Sequence, residues 1–225
     1  TDKYNPATDP LIWANYSPED MSGQMENKRL LQELMGLPQR PEVPVVAMIS
    51  RLVPQSGFEL VKSAFERLLK EDIQFILLGS GDWIYESFFR EIQASYQSKM
   101  RYTPGFSPEL SHKIYAGSDI FLMPSKTEPC GMNQMIACRY GTVPVVRETG
   151  GLKDTITDCA DQNGIGFIFK EYDHEEMMKA VYRALESYRD KEFWSELMSR
   201  CMNIDFSWGR SANEYIRLYR TLLKS

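Results

Sequence analysis

Ile120-Phe-Leu-Met-Pro-Ser-Lys-Thr-Glu128-Pro-Cys-Gly-Met-Asn133 decides the fold. Four apolar residues form a buried strand, a proline-bearing loop follows, and a helix opens near Cys130-Gly131-Met132-Asn133 and runs towards Tyr140-Gly141. Val143-Pro-Val-Val146 then reads as the next strand. In an open parallel sheet, ligands bind where a strand's carboxyl end meets the following helix. Helix N-termini there carry unpaired N–H groups and a positive dipole end. Gly131 permits close backbone approach, and Glu128 places a carboxylate beside it. The stretch predicts a site for an anionic, hydroxylated ligand. Ordinary α/β architecture with Glu128 as a helix cap accounts for the same pattern, and pattern alone leaves both readings open.

The grammar continues on both sides. Val43–Ile49, Ile73–Leu78, Met100–Thr103 and Asp119–Met123 read as strands, and so do Val143–Val146 and Gly166–Phe169. Amphipathic stretches long enough for helical crossovers separate most of them. Leu60, Val61, Ala64, Phe65, Leu68 and Leu69 make one such face, and Ser107-Pro108 opens another helix. Near-continuous apolar strands joined by helices predict a doubly wound, Rossmann-like parallel sheet over residues 43–206.

Residues 1–42 read as extended linker through residue 21, then a flanking helix. In that helix Met25, Leu30, Leu31, Leu34 and Met35 form the buried stripe, with Ser22 as its cap. The opening resembles a linker leading from something longer. Residues 174–203 read as two helices. Residues 207–225 read as a last helix whose stripe of Ala212, Tyr215, Ile216, Tyr219, Leu222 and Leu223 docks outside the sheet.

Composition narrows the partners. A net charge of −5 argues against a nucleic-acid surface, which needs a basic stripe. No apolar run approaches a membrane span and no signal-peptide pattern opens the chain. Four cysteines without Cys-x-x-Cys spacing and two histidines give no metal-ligand pattern. Cys130 is the one thiol placed to have its pKa lowered.

Arg51 ends the first strand and faces the same crevice as Glu128. Its planar fork suits a phosphate, with a sheet-edge salt bridge as the alternative. Gly79-Ser-Gly-Asp82 closes the second strand without the Gly-x-Gly-x-x-Gly fingerprint of a dinucleotide site. Phe106, after the third strand, suits either stacking on a base or core packing.

Ser50-Arg51-Leu52, Gln55-x-Gly57, Leu77-Leu-Gly-Ser-Gly-Asp82, Ile114-Tyr-Ala-Gly-Ser-Asp119, Glu128-Pro-Cys-Gly131 and Thr149-Gly-Gly-Leu-x-Asp-Thr155 occur in this order. Together they closely resemble the carboxyl-terminal half of bacterial glycogen synthases and plant starch synthases. The opening Tyr4-Asn-Pro-Ala-Thr-Asp-Pro10 and the closing Phe206-Ser-Trp resemble that family too. These are retaining GT-B glycosyltransferases built from two Rossmann-like domains facing a cleft.

The resemblance implies transfer of glucose from ADP-glucose to the non-reducing end of an α-1,4-glucan, with no metal or cofactor. The location it implies is cytoplasmic in a bacterium and plastidial in a plant. It places Arg51 on the donor's diphosphate and Glu128 beside the donor glucose. Cys130, Gly131, Met132 and Asn133 would hold sugar and phosphate, and Phe106 would lie against the adenine.

Two departures stand out. The family normally carries lysine after the glutamine, and here the residue is Ser56; Lys62 is the next cation. The family's amino-terminal domain, which binds most of the glucan acceptor, is not in this sequence. The chain alone is therefore expected to bind nucleotide weakly and to transfer no glucose. A UDP-glucose donor and a non-catalytic nucleotide-binding module are the alternatives.

Overall fold

Six short runs of β-branched and aromatic residues pair into one sheet in the computed structural model, which describes residues 2–223. They are β1 (Val45–Ile49), β2 (Gln74–Gly79), β3 (Met100–Pro104), β4 (Ile120–Met123), β5 (Val143–Arg147) and β6 (Phe167–Phe169). The order is β3-β2-β1-β4-β5-β6 and every pair is parallel. Val46 sits beside Phe75 on one side and Ile120 on the other. All of β1, β2 and β4 is buried, because helices cover both faces of a parallel sheet. The chain winds outward from β1 to β3, then returns to start β4 on the other side of β1. That reversal opens a crevice at the carboxyl ends of β1 and β4.

Nine helices complete the described chain: α1 (Ser22–Leu34), α2 (Phe58–Lys70), α3 (Trp83–Ser95), α4 (Pro108–Gly117), α5 (Asn133–Arg139), α6 (Gly150–Thr155), α7 (His174–Arg189), α8 (Lys191–Asn203) and α9 (Trp208–Leu222). The α2 stripe is buried as its spacing predicts, and Phe65 packs edge-on against Phe75 at 4.9 Å and Phe89 at 5.3 Å. Ser107 caps α4 by accepting the Leu110 N–H, and Asp173 caps α7 with two such bonds. No helix among the described residues is long and apolar enough to cross a membrane.

Two expectations are corrected. The buried face of α1 is mostly polar: Gln24, Asn27, Lys28 and Gln32 point inward with Leu31, while Met25 and Leu34 are exposed. Ser22 forms no side-chain cap. Pairing explains the inversion, since buried polar groups are tolerated when bonded. Asn27 donates to the carbonyls of Ala14 and Gly23, and Gln32 donates to the Gln74 side chain at 2.8 Å. Lys28 meets Asp119 at 2.8 Å.

Residues 2–21 are not extended linker either. They fold as a short 3-10 turn and successive turns packed on α4 and α5. Asp9, buried, meets His112 at 2.7 Å and accepts the Tyr140 hydroxyl at 2.5 Å, and Tyr4 stacks on His112. By contrast, α9 buries nothing in this chain; Trp208, Tyr215, Ile216 and Tyr219 face outward. Thr1, Lys224 and Ser225, the outermost positions of the expected linker and final helical segment, lie outside the described residues.

Candidate functional site

Arg51 leaves the carboxyl end of β1, where Leu52 pairs beside Gly81: Leu52 N–H donates to Ser80 and Asp82 N–H donates back to Leu52. This lays the loop after β1 against the tip of β2. A short 3-10 turn, Pro54–Ser56, follows and carries Ser56 half-buried. Gly57, at φ +82°, then swings the chain into α2. A Cβ there would lie 2.0 Å from the Pro124 carbonyl oxygen, so only glycine lets the loops after β1 and β4 touch.

Two hydrogen bonds stitch those loops together. Lys126 N–H donates to the Gln55 carbonyl at 2.8 Å, and the Asn133 side-chain amide donates to the Ile49 carbonyl at 2.8 Å. Ile49 is two residues from Arg51, and Asn133 is five from Glu128. Both candidate residues therefore stand on one rim, at the crevice between β1 and β4. The Arg51 guanidinium is exposed and bonds to no described residue, so the salt-bridge alternative is not observed. Glu128 is half-buried, and its carboxylate accepts a long bond from the Ser125 hydroxyl at 3.4 Å.

The Glu128 loop is held from behind by residues whose support the sequence did not signal. Glu128 O accepts the Gly151 N–H at 3.0 Å. A Cβ on Gly151 would lie 1.7 Å from the Cys130 carbonyl oxygen, so the start of α6 seats directly on the loop. The Arg147 guanidinium donates to the carbonyls of Ser125, Lys126 and Lys170. Gln134 is buried and bonds Gly131 O at 3.0 Å and Thr155 Oγ1 at 3.1 Å. Thr155 stood inside a sequence motif, but the carbonyls that Thr155 and Arg147 serve carry no residue-type signature. Gln134 had no signal at all.

The other expected residues fall on or near this rim. Gly131 adopts φ +66°, a conformation that favours glycine. Cys130 and Met132 are exposed. Neither histidine bonds Cys130: His112 is buried 2.7 Å from Asp9, and His174 lies 3.3 Å from its chain neighbour Glu175. The Asn133 side chain is already committed to Ile49. Phe106 is 77% exposed, which disposes of the core-packing alternative. Gly105 N–H bonds the Gly79 carbonyl at 3.2 Å and fastens the Phe106 loop beside the tip of β2. At strand spacing, the tip of β3 lies about 10 Å along the rim from that of β1.

Lys62 does not turn towards Ser56; its ammonium lies 5.3 Å above the Phe88 ring on α3. Burial pushes the Tyr172 phenol up from its ordinary pKa, with Glu59 nearby adding to the effect, so its ring is neutral. Its face lies under Lys126 and Arg147. A hollow of about 730 Å³ between α6 and α7 carries Glu148, Lys153, Asp158, Lys170 and Arg183. Its cations are paired: Lys153 and Lys170 lie 3.6 and 4.0 Å from Glu148, and Arg183 lies 2.8 Å from Asp158. Arg51, at the β1/β4 rim, has no such pair among the described residues. No group of three or more metal-ligating side chains occurs among the described residues.

Residues 36–198 match the model of the glycosyl transferases group 1 family, so the chain belongs to that family. It is 45% identical over its whole length to a glycogen synthase of Bacillus cereus, of which it covers 48%. It is 46% identical over 99% of its length to the glycogen synthase of Thermosipho africanus, of which it covers 46%. Among solved structures, the catalytic domain of starch synthase IV from Arabidopsis thaliana, bound to ADP and acarbose, superposes with a TM-score of 0.91. The identity there is 40%, over all of this chain and 48% of that one. The chain thus spans about half the length of the curated relatives it matches, and its fold is that of the carboxyl-terminal half of a GT-B glycosyltransferase.

Proposed function

We propose that this member of the group 1 glycosyltransferases is the donor-binding half of a glycogen or starch synthase. In this reading it carries glucose from ADP-glucose to the non-reducing end of an α-1,4-glucan, with retention. The observation that carries the reading is the stitched rim: the Lys126–Gln55 and Asn133–Ile49 bonds bring Arg51 and Glu128 to one crevice. Whole-chain similarity to glycogen synthases, and to a starch synthase that holds ADP and acarbose, supports the same choice.

The chemistry follows from charge. Breaking the bond between the anomeric carbon and phosphate leaves negative charge on the departing diphosphate and positive character on the sugar. A fixed guanidinium at Arg51 stabilises the first as it develops. A carboxylate at Glu128 orients the sugar hydroxyls and tolerates oxocarbenium character beside it. Cys130, Gly131, Met132 and Asn133 line the sugar end, Ser56 faces the diphosphate, and Phe106 takes the adenine two strands away. The Asn133 amide, spent on Ile49, contributes position more than contact.

The acceptor and the closing of the cleft belong to the second half that the relatives carry. The exposed stripe of α9 suits packing on that half. This chain by itself then binds nucleotide weakly and transfers nothing, because closure aligns both substrates and excludes water. Ser56 favours a second reading, a nucleotide-binding module without catalysis. Titration of ADP, UDP and ADP-glucose separates the readings, with glucose incorporation into glycogen assayed in the two-domain protein. Binding of ADP over UDP together with incorporation supports the synthase. Silence with every nucleotide at millimolar concentration contradicts it.

A further inference from the structure

A glycosyl diphosphate brings at least two negative charges to the rim, and the Arg51 fork answers one of them. Ser56, half-buried in the adjoining turn, offers a neutral hydroxyl. The cations around the crevice can be taken in turn. Lys62 lies over Phe88. Lys153 and Lys170 share Glu148 at 3.6 and 4.0 Å. The Arg147 guanidinium is occupied by three backbone carbonyls beneath the loop.

Lys126 differs from all of these. Its backbone N–H is bonded to the carbonyl of Gln55, the residue immediately before Ser56, at 2.8 Å. Its side chain is exposed, its ammonium forms no ion pair among the described residues, and its recorded contact is the neutral ring of Tyr172 at 5.5 Å.

We propose that Lys126 supplies the second cation of the diphosphate site, beside the place that Ser56 leaves neutral. This rests on the donor-binding reading above and names a residue for it. Lys126 is two residues from Glu128 on the loop after β4, so it serves the phosphate next to the transferred sugar. Arg51, just past β1, serves the one nearer the ribose. The geometry allows the exchange at little cost. An exposed contact between an ammonium and a ring is weaker than a charge-assisted bond to phosphate. The flexible four-carbon stem lets the ammonium leave Tyr172 when an anion arrives. Tyr172 then acts as a parking place that keeps the cation at the rim and out of a salt bridge.

The test titrates ADP and AMP into the 225-residue chain and follows the ligand's phosphorus resonances by NMR, which reports millimolar binding. The wild type is expected to prefer ADP, and Lys126→Met is expected to lower ADP affinity about tenfold while leaving AMP unchanged. Lys126→Arg should retain the preference, and adding Ser56→Lys to Lys126→Met should restore it. A purely structural role would instead weaken both nucleotides together, and that result overturns the assignment. A wild-type preference that survives loss of Lys126 overturns it too, while leaving the donor-binding reading intact. A wild-type chain that binds ADP and AMP alike overturns the assignment alone, and one that binds neither at millimolar concentration sinks both.

Discussion

The side-chain amide of Asn133 donates to the main-chain oxygen of Ile49 across 2.8 Å, so the helix behind Glu128 is fastened to the last residue of the strand that delivers Arg51. Losing that bond leaves a strand-end carbonyl without this partner and lets the two loops drift. Asn133→Ala is expected to cost about 1 kcal/mol of stability. Transfer should fall further than stability does, by about tenfold or more, because catalysis is steeply sensitive to sub-ångström placement. Melting curves and kcat/KM for ADP-glucose in the two-domain protein check this, and full activity in the variant would contradict it.

Lys28 and Asp119 form an ion pair at 2.8 Å, each side chain only 5% exposed, that pins α1 to the start of β4. Asp119 also accepts the Val45 N–H at 2.7 Å, and Lys28 donates to the Tyr188 hydroxyl and the Pro41 carbonyl. Lys28→Met leaves a buried carboxylate without its counter-charge, at a cost of about 3–5 kcal/mol. For a chain of this size the melting temperature should drop by about 10 °C. Chemical denaturation measures the loss directly; a change within experimental scatter would show that the pair is dispensable.

Asp158 predicts the acid limb of stability. Burial pushes its carboxyl up, but hydrogen bonds from Arg183 and from the N–H groups of Ala160 and Ile168 outweigh that and hold it below the ordinary 3.8. A depressed folded-state pKa contributes stability that is complete above the unfolded value and lost as pH falls through the folded one. Wild-type stability should therefore decline below about pH 4, and Asp158→Asn should be weaker at neutral pH with a shallower decline over that range. Parallel slopes for the two proteins would rule the contribution out.

Ser56 gives the rim a neutral hydroxyl where the family resemblance implies a lysine. Replacing it with lysine adds a charge-assisted bond to the departing diphosphate, so Ser56→Lys in the two-domain protein should raise kcat/KM for ADP-glucose. The gain should stay within about tenfold, near 1.4 kcal/mol, if a second cation is already present. Steady-state kinetics decides it, and an equal or lower kcat/KM refutes it.

The sheet was legible because its strands are apolar runs punctuated by glycine and proline, and their carboxyl ends named Arg51 and Glu128. What escaped reading depends on partners distant in sequence. Hydrophobic periodicity chose Met25 and Leu34 for the inside of α1, yet Lys28 and Gln32 lie there because Asp119 and Gln74 await them. Asp9 looked like linker because its partners, His112 and Tyr140, are 103 and 131 residues away. The rim's stitches use backbone groups, as between Lys126 N–H and Gln55 O, and any residue but proline could have donated that bond.

The most direct measurement is a crystal structure with ADP-glucose bound. Convergence on the β1/β4 rim predicts the diphosphate against Arg51 and the glucose hydroxyls within hydrogen-bond reach of Glu128. Nucleotide density seated elsewhere, such as the hollow beside Glu148 and Lys153, with the rim empty, would contradict the assignment of this crevice.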